Sequence, residues 1–371
     1  MEGLLTEFVL ACFIVTASLS PCFIIYSQFP KGIMRLMYVL FIVATFVVVP
    51  YRYFSSFYLQ FYGGAFIGWL ASFNLLLFAF GKDDTLSVYP HMSLLQFVLL
   101  TTLPIKLKQK PSPESKTKTP WWKTTVALNL LLWFFFAQFY ITCKNHVLLT
   151  YPFVVHGLFT LRMFFGVQAN FVILAALAKP FFHGREFEKQ FDDPLLSTSL
   201  QVFGEGAYSL RTSIHVPAKS LFTPILGKRW ALHAAILATF VVSGLMHELM
   251  QFYIGHQWPT WEVFWFFIIQ AVALSVEIEV KKIAATKGWK LHAVISRLLT
   301  LGFILITGSW LVYAEFIHAG ADSREIEEYS AFFAYLKQWI LKWTLNDIML
   351  YLIDIIVRLF YTRLYGLPFK L

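Results

Sequence analysis

Two adjacent ionisable residues, His247 and Glu248, lie in an apolar run that extends from Ala231 to Ile254. Such groups are costly inside a membrane helix, so they usually face a protein interior or a cavity. Imidazole titrates near neutral pH and is therefore suited to accept a proton from a hydroxyl group. The pair predicts either a catalytic histidine or a structural one that hydrogen-bonds between helices, with Glu248 then paired to a lysine.

Helical spacing sets the neighbours of this pair. Ser243, His247 and Gln251 follow one another at intervals of four residues and share one helix face, whereas Glu248 points about 100° away from that face. We therefore expect Ser243 to orient the imidazole at the substrate-binding site. We expect Glu248 to lie beside the same site as a packing residue and not as a proton carrier.

The chain lacks the motifs of several other enzyme classes. It has no Gly-X-Ser-X-Gly elbow, no glycine-rich phosphate loop and no HExxH helix, so hydrolase, kinase and metalloprotease functions have no support. The cysteines Cys12, Cys22 and Cys143 and the remaining histidines show no spacing typical of metal ligands or disulfides. The sequence predicts no metal site.

The composition indicates that the helices that carry and position these residues lie in a membrane. Hydrophobic residues make up 58% of the chain and charged residues 14%, whereas soluble domains contain about 25% charged residues. Uncharged runs of about 20 residues are long enough to cross the hydrocarbon layer, so we predict an all-α, polytopic transmembrane helical bundle of about 8–11 membrane segments. Candidate segments lie near residues 8–29, 36–51, 57–80, 86–105, 124–143, 145–161, 163–178, 231–254, 261–276, 298–314 and 345–357.

The charge balance suggests the partners of such a chain. Lys and Arg number 30 against 21 Asp and Glu, which gives a net charge of +9. In a membrane protein this excess is typical of cytosolic loops that face anionic lipid headgroups. It would also attract an anionic substrate such as a CoA thioester. We expect membrane lipids among the partners and no nucleic acid.

Two connections stand out in what we interpret as a single integral-membrane domain over residues 1–371. Residues 106–123 contain six lysines among three prolines and predict a flexible cytosolic loop. Residues 179–230 are mixed in polarity, and long connections of this kind are often functional, so we expect active-site residues there. Within the early segments, Pro50 and the pair Gly63-Gly64 are expected breaks.

Glu277 and Glu279 follow the segment 261–276 and are followed in turn by Lys281 and Lys282. The simplest interpretation is a helix end that meets the lipid headgroups. The alternative is that Glu277 accepts a hydrogen bond from a buried donor.

The run Ser-Gly-Leu-Met-His-Glu at residues 243–248 resembles the plant wax synthase family of long-chain-alcohol O-fatty-acyltransferases, which belongs to the membrane-bound O-acyltransferases. The resemblance covers most of residues 30–335. It also rests on Lys31-Gly32, Ser55 to Phe57, Trp69 to Phe80, Leu103 to Lys106, Thr198 to Gln201, Trp258 to Glu262, Val276-Glu277 and Lys281-Lys282.

This resemblance implies transfer of an acyl group from acyl-CoA to a lipid alcohol in the endoplasmic reticulum membrane, with His247 as the catalytic residue. The expected product is a wax ester, and acyl-CoA is expected as co-substrate with no cofactor. Sterol or diacylglycerol esterification is an alternative within the same class. A catalytically inactive relative or a membrane transporter is an alternative from a different class.

The chain departs from the family pattern directly after Gln201. The family has an aspartate, an aromatic pair, two arginines, a tryptophan and an asparagine, whereas residues 202–209 read Val-Phe-Gly-Glu-Gly-Ala-Tyr-Ser. Ser209 stands at the asparagine position, and we assign it as a catalytic residue beside His247. The resemblance implies substrate-binding roles for Gln201, Phe203 and Tyr208, and we add Arg211 as a replacement for the missing arginines.

Overall fold

The structure is a computed structural model of the chain, and it is all-α in the residues that it describes. These residues are 2–25, 32–81, 92–107, 128–140 apart from 129 and 138, 152–182, 187, 199–201, 214–289 and 291–343. Within them the strand-like pairing is limited to an isolated bridge between Leu107 and Phe187. The predicted all-α fold is confirmed.

Helices of very different length follow one another along the chain. We number them α1 (Glu2–Ile25), α2 (Ile33–Tyr53), α3 (Phe57–Ala79), α4 (Leu94–Thr102), α5 (Pro152–Ala178), α6 (Val216–Gly255), α7 (Glu262–Thr286), α8 (Ala293–Thr307), α9 (Tyr313–His318) and α10 (Ala321–Trp343). The described residues between 128 and 140 are also helical. A π-helical stretch, Gly308–Val312, joins α8 to α9 without a break.

Seven helical runs among the described residues are long and apolar enough to cross a membrane. They are α1, α2, α3, α5, α6, α7 and the continuous run of α8 and α9. Length and composition of this kind are typical of a polytopic membrane protein, so the predicted transmembrane bundle is confirmed. The segment predicted near 345–357 and most of the basic loop at 106–123 lie outside the described residues.

The prediction of two separate segments at 145–161 and 163–178 is wrong in placing a break between them. The structure has one continuous helix, α5, across this boundary. The sequence rule ended a segment at Arg162 because a charge seemed incompatible with a membrane interior. In the fold, the Arg162 guanidinium is buried and forms an ion pair with the Glu325 carboxylate of α10. A paired charge can lie within a helix that an unpaired charge would end.

Other expected interruptions also differ from the structure. Pro50 lies inside α2. The pair Gly63-Gly64 does not end α3, because the helix continues there as the π-helical stretch Gly64–Ala71. The described part of the segment predicted at 86–105 contains only α4, which has nine residues. At the end of the mixed segment 179–230, helix α6 already begins at Val216 and bends at Gly227.

The two largest buried clusters among the described residues hold the helices together. One lies between α1, α2, α3 and α4 and includes Leu19, Val39, Phe46, Leu75 and Phe97. The other lies between α3, α5, α6 and α9 and includes Phe57, Phe159, Ile254, Tyr313 and Phe316. Helices α6 and α7 pack along each other beside the second cluster. Both clusters contact α3, which therefore links the two halves of the bundle.

Charged side chains of α10 form hydrogen bonds with the start of α3. The Arg324 guanidinium donates a 2.8 Å hydrogen bond to the main-chain oxygen of Ser55. The Glu328 carboxylate accepts a 2.7 Å hydrogen bond from the Ser56 hydroxyl and another from the main-chain N–H of Phe57. The first amides of a helix lack partners within the helix, so a carboxylate placed there fixes where α3 begins.

Candidate active site

His247 lies in the last third of α6, and its ring is held by the helix that carries it. Its Nδ1 lies 2.8 Å from the main-chain oxygen of Ser243, one turn earlier. A carbonyl oxygen only accepts hydrogen bonds, so in the neutral imidazole Nδ1 carries the ring proton. Nε2 is then the unprotonated nitrogen, and its lone pair is available to accept a proton.

Two aromatic side chains from other helices flank the imidazole. Trp69 of α3 lies 5.0 Å from it between ring centroids, at an interplanar angle of 74°. Phe267 of α7 lies 4.4 Å from it, at an angle of 36°. Helices α3, α6 and α7 thus meet at His247. The two rings occupy space next to the imidazole that water would otherwise fill.

Close packing between α3 and α6 brings Trp69 to this position. A Cβ at Gly64 would lie 2.8 Å from Cδ2 of Tyr253, closer than side chains normally approach, so glycine is needed there. The Tyr253 hydroxyl donates a 2.7 Å hydrogen bond to the main-chain oxygen of Val47 in α2. Helices α2, α3 and α6 are therefore joined less than two turns from His247. Trp69 itself belongs to a π-helical stretch, a geometry that is frequent at functional sites.

Glu248 points away from the imidazole and joins α6 to the start of α7. Its Oε1 accepts a 2.8 Å hydrogen bond from the main-chain N–H of Phe264, in the first turn of α7. The residue is 2% exposed. Gly244 faces the same junction, and a Cβ there would lie 2.9 Å from Cδ2 of Phe264. The partner of Glu248 is thus a main-chain amide and not the lysine expected in the alternative where His247 is only structural.

The structure describes some of the residues assigned to the site and not others. Ser243 and Gln251 are buried on α6 near His247, and Ser243 contacts the ring through its carbonyl oxygen. Gln201 is exposed at the end of the described stretch 199–201. The other assigned residues lie outside the described residues: Phe203, Tyr208, Ser209 and Arg211.

Trp69 and Phe267 were not among the site residues expected from the sequence. Trp69 belongs to a stretch that carries the family resemblance. The resemblance marked this stretch as important but did not indicate a role for Trp69. The sequence does not distinguish Phe267 from the other aromatic residues near it in α7. Only the packing of α7 on α6 shows which of them contacts His247. Across the described part of the chain, no group of three or more His, Cys, Asp or Glu side chains is arranged to hold a metal ion.

Comparison with known proteins supports an acyltransferase. The profile described as "Membrane bound O-acyl transferase family" matches residues 188–269, a range that includes His247 and the start of α7. An Arabidopsis thaliana protein named "Probable long-chain-alcohol O-fatty-acyltransferase 2" is 34% identical over 84% of this chain and 90% of its own length. This chain belongs to the membrane-bound O-acyltransferase family.

Relatives of this acyltransferase differ in the acceptor for which they are named. The "Long-chain-alcohol O-fatty-acyltransferase" of Simmondsia chinensis is 33% identical over 83% of this chain and 88% of its own length. The "Acyl-CoA–sterol O-acyltransferase 1" of Arabidopsis thaliana is 33% identical over 89% of this chain and 96% of its own length. No solved structure matches the chain. The resemblance to wax synthases is confirmed.

Proposed function

We propose that this protein transfers the acyl group of an acyl-CoA to a long-chain alcohol, forming a wax ester, with His247 as the general base. The observation that carries the proposal is the 2.8 Å hydrogen bond between Nδ1 of His247 and the Ser243 carbonyl. This bond leaves Nε2 as the acceptor nitrogen, which is the state that a general base needs. Relatives named for long-chain alcohols support the choice of acceptor.

The proposed reaction is a direct transfer. Nε2 of His247 accepts the hydroxyl proton of the alcohol while the alcohol oxygen attacks the carbonyl carbon of the thioester. The carbonyl re-forms as the bond between carbon and sulfur breaks, and the proton passes from the imidazolium to the departing CoA thiolate. No covalent acyl-enzyme and no cofactor is needed, since a base, an aligned thioester and donors to the oxyanion are sufficient.

The aromatic walls favour transfer to an alcohol over hydrolysis. Trp69 and Phe267 cover two sides of the imidazole. A site that excludes water protects a reactive thioester from water as the competing acceptor. A hydrophobic alcohol can enter such a site, because its chain gains from leaving water.

We propose positioning and binding roles for the remaining assigned residues. Ser209 and Gln201 would position the reacting groups, with the Ser209 hydroxyl as a donor to the thioester oxygen. Phe203 and Tyr208 would contact the acyl chain, and Arg211 would bind a phosphate of CoA, which a guanidinium can contact through two hydrogen bonds. Ser243 would orient the imidazole of His247 through the hydrogen bond between its main-chain oxygen and Nδ1.

A sterol is the second candidate acceptor. The relative named Acyl-CoA–sterol O-acyltransferase 1 is as similar as the Simmondsia chinensis relative, at 33% identity, and it covers more of this chain. A diacylglycerol acceptor belongs to the same reaction class. The departure from the family pattern at residues 202–209 favours an inactive relative or a transporter, whereas the intact run at 243–248 and the geometry of His247 favour an enzyme.

One lipid extract distinguishes these functions. The chain is expressed in a yeast strain that lacks its neutral-lipid acyltransferases, and the cells are fed a long-chain alcohol, a sterol or a diacylglycerol. We expect wax esters in the first culture. Sterol esters or triacylglycerol instead would change the acceptor, and the absence of any new ester at normal protein level would contradict the proposed activity.

We further propose that the protein resides in the endoplasmic reticulum. A fluorescent fusion of the full chain should coincide with a marker of that membrane in the same cells. Coincidence with a plasma-membrane or vacuolar marker would contradict this location.

A further inference from the structure

The carboxylate of Glu277, in the second half of α7, is joined to a stretch of chain that lies far away in sequence. Its Oε2 accepts a 2.8 Å hydrogen bond from the main-chain N–H of Leu200. Its Oε1 lies 2.6 Å from Nζ of Lys281, one turn further along α7. The alternative considered from the sequence, that Glu277 accepts a hydrogen bond, describes this arrangement, and the donor is a main-chain amide.

Apolar packing holds the same stretch against both long helices. The Leu200 side chain packs against a buried cluster that contains Ile236 of α6 and Ala271 and Leu274 of α7. Ser199, immediately before it, is 2% exposed. Residues 199–201 are therefore docked in the groove between α6 and α7 by one charge-assisted hydrogen bond and by buried apolar surface.

The docked stretch and the imidazole both lie where α6 and α7 pack against each other. Glu277 follows Phe267 by 10 residues on α7, which is about 15 Å at 1.5 Å per residue. Ile236 precedes His247 by 11 residues on α6, which is about 16 Å. The two measures agree, so residues 199–201 dock about three turns from the imidazole. A change in this docking alters where Gln201 stands relative to His247.

We propose that Glu277 is a positioning residue for the acyl transfer, because it anchors residues 199–201 and so fixes Gln201 relative to His247. The inference rests on the proposed function. Lys281 and Lys282 are paired with Glu277 and Glu279, so the charges at this end of α7 largely cancel. We therefore assign the effect of the anchor to the alignment of the reacting groups, which Gln201 would position, and not to attraction of a charged substrate.

The neighbouring Glu279 provides a matched control. It lies on the same turn of α7 but forms contacts of a different kind, with Arg229 at 2.6 Å, His233 at 3.0 Å and Lys282 at 2.7 Å. These partners belong to α6 and α7 and not to residues 199–201. Loss of Glu279 therefore tests a general effect at this helix end, whereas loss of Glu277 tests the anchor.

Kinetics on purified full-length protein test the positioning role. Glu277→Ala removes the acceptor of the Leu200 amide, and we expect kcat to fall about tenfold, because misalignment of the reacting groups lowers turnover. The KM for acyl-CoA and the KM for the alcohol should change little. Glu277→Gln keeps an oxygen acceptor and should recover most of the loss, and Glu279→Ala should leave kcat near the wild-type value. Equal effects of the two alanine variants, or an unchanged kcat in Glu277→Ala, would overturn the proposal.

A labelling experiment tests the anchor without relying on activity. Ser199→Cys is introduced after the three native cysteines are replaced by alanine, and its reaction with a thiol reagent is followed. Because Ser199 is buried, we expect slow labelling that Glu277→Ala accelerates and Glu279→Ala does not. Unchanged labelling in Glu277→Ala would overturn the anchor itself. A wild type that forms no ester, together with faster labelling in Glu277→Ala, would show that the acyltransfer proposal is at fault and the anchor is not.

Discussion

The imidazole Nδ1 of His247 lies 2.8 Å from the main-chain oxygen of Ser243, four residues earlier on the same helix. This contact does not depend on any side chain other than that of His247. It fixes both the ring orientation and the tautomer, since the carbonyl can only accept the Nδ1 proton. The helix backbone therefore leaves Nε2 as the unprotonated nitrogen, without the carboxylate partner that many catalytic histidines use.

Replacement of His247 by alanine should abolish most ester formation while the protein stays in the membrane. General-base catalysis typically contributes about 10²–10⁴-fold in rate, so turnover should fall by that amount. The measurement is ester formation in microsomes at equal protein level. Membrane insertion is checked by resistance to carbonate extraction. Near-normal turnover of the alanine variant would show that His247 is structural.

Replacement of Ser243 by alanine tests which part of this serine acts on the imidazole. The main-chain oxygen remains in Ser243→Ala, so the hydrogen bond to Nδ1 should persist. We expect turnover to fall by less than about fivefold, because the loss of one neutral side-chain hydrogen bond typically has an effect no larger than this. A loss as large as that in His247→Ala would mean that the Ser243 hydroxyl takes part in the reaction.

Removal of the Trp69 ring should open one side of the imidazole to water. In Trp69→Ala we expect ester formation to fall by about 10- to 100-fold, since small losses of alignment have effects of this size. Hydrolysis of acyl-CoA should rise relative to ester formation, and Trp69→Phe should restore much of the original ratio. The measurement is the ratio of free fatty acid to ester.

Trp310 serves as the control for Trp69, because it also lies in a π-helical stretch and is 67% exposed. Trp310→Ala should leave the ratio of free fatty acid to ester unchanged. If Trp69→Ala shows the same ratio as the wild type, then Trp69 does not exclude water from the site.

The junction of α6 and α7 should not tolerate a side chain at Gly244. A Cβ there would lie 3.3 Å from the Phe264 Cα, which is main chain and cannot turn away. Overpacking of this kind costs about 1–3 kcal/mol, so Gly244→Ala should lower the thermal stability in detergent. The displacement of α7 should also lower turnover, because α7 carries Phe267. Gly302→Ala is the control, since nothing lies within 4 Å of a Cβ at that position of α8.

Hydrophobic runs were sufficient to predict most of the fold. The predicted segments at 8–29, 36–51, 57–80, 231–254, 261–276 and 298–314 each fall largely within a helical run of the structure. Errors arose where the sequence pattern does not show tertiary contacts. Arg162 was taken to end a segment because its partner Glu325 lies 163 residues away. Glycines that permit close helix packing were taken as breaks for the same reason.

The candidate site was predictable only in part. His247 could be found because an ionisable residue in an apolar run is unusual, and helical spacing identified Ser243 as its neighbour. Spacing could not show that the serine acts through its carbonyl. It also could not show that Glu248 accepts the Phe264 amide, since that contact depends on how α7 crosses α6. Trp69 lies nearly 180 residues before His247, and no local pattern joins them.

The buried ion pair between Arg162 and Glu325 should be a strong determinant of stability when only one partner is lost. The two side chains are 5% and 8% exposed, and the Arg162 guanidinium also lies 5.1 Å from the ring centroid of Tyr140. Loss of one partner leaves an uncompensated buried charge, which costs about 3–5 kcal/mol. Arg162→Met and Glu325→Leu should each lower the unfolding temperature in detergent markedly. Because the pair joins α5 to α10, helix α10 should also become more accessible to proteases.

The double variant distinguishes the contribution of the ion pair itself from the cost of leaving one buried charge without its partner. Apolar residues of similar volume can replace a buried ion pair at little cost, so Arg162→Met combined with Glu325→Leu should be more stable than either single variant. Arg229→Ala is the control for loss of a cation, since that side chain is 68% exposed and should affect stability little. If the two single effects simply add in the double variant, the Arg162 and Glu325 side chains act independently and do not form a stabilising pair. If the double variant recovers stability but not turnover, the charge itself contributes to function, because packing between α5 and α10 would then be intact.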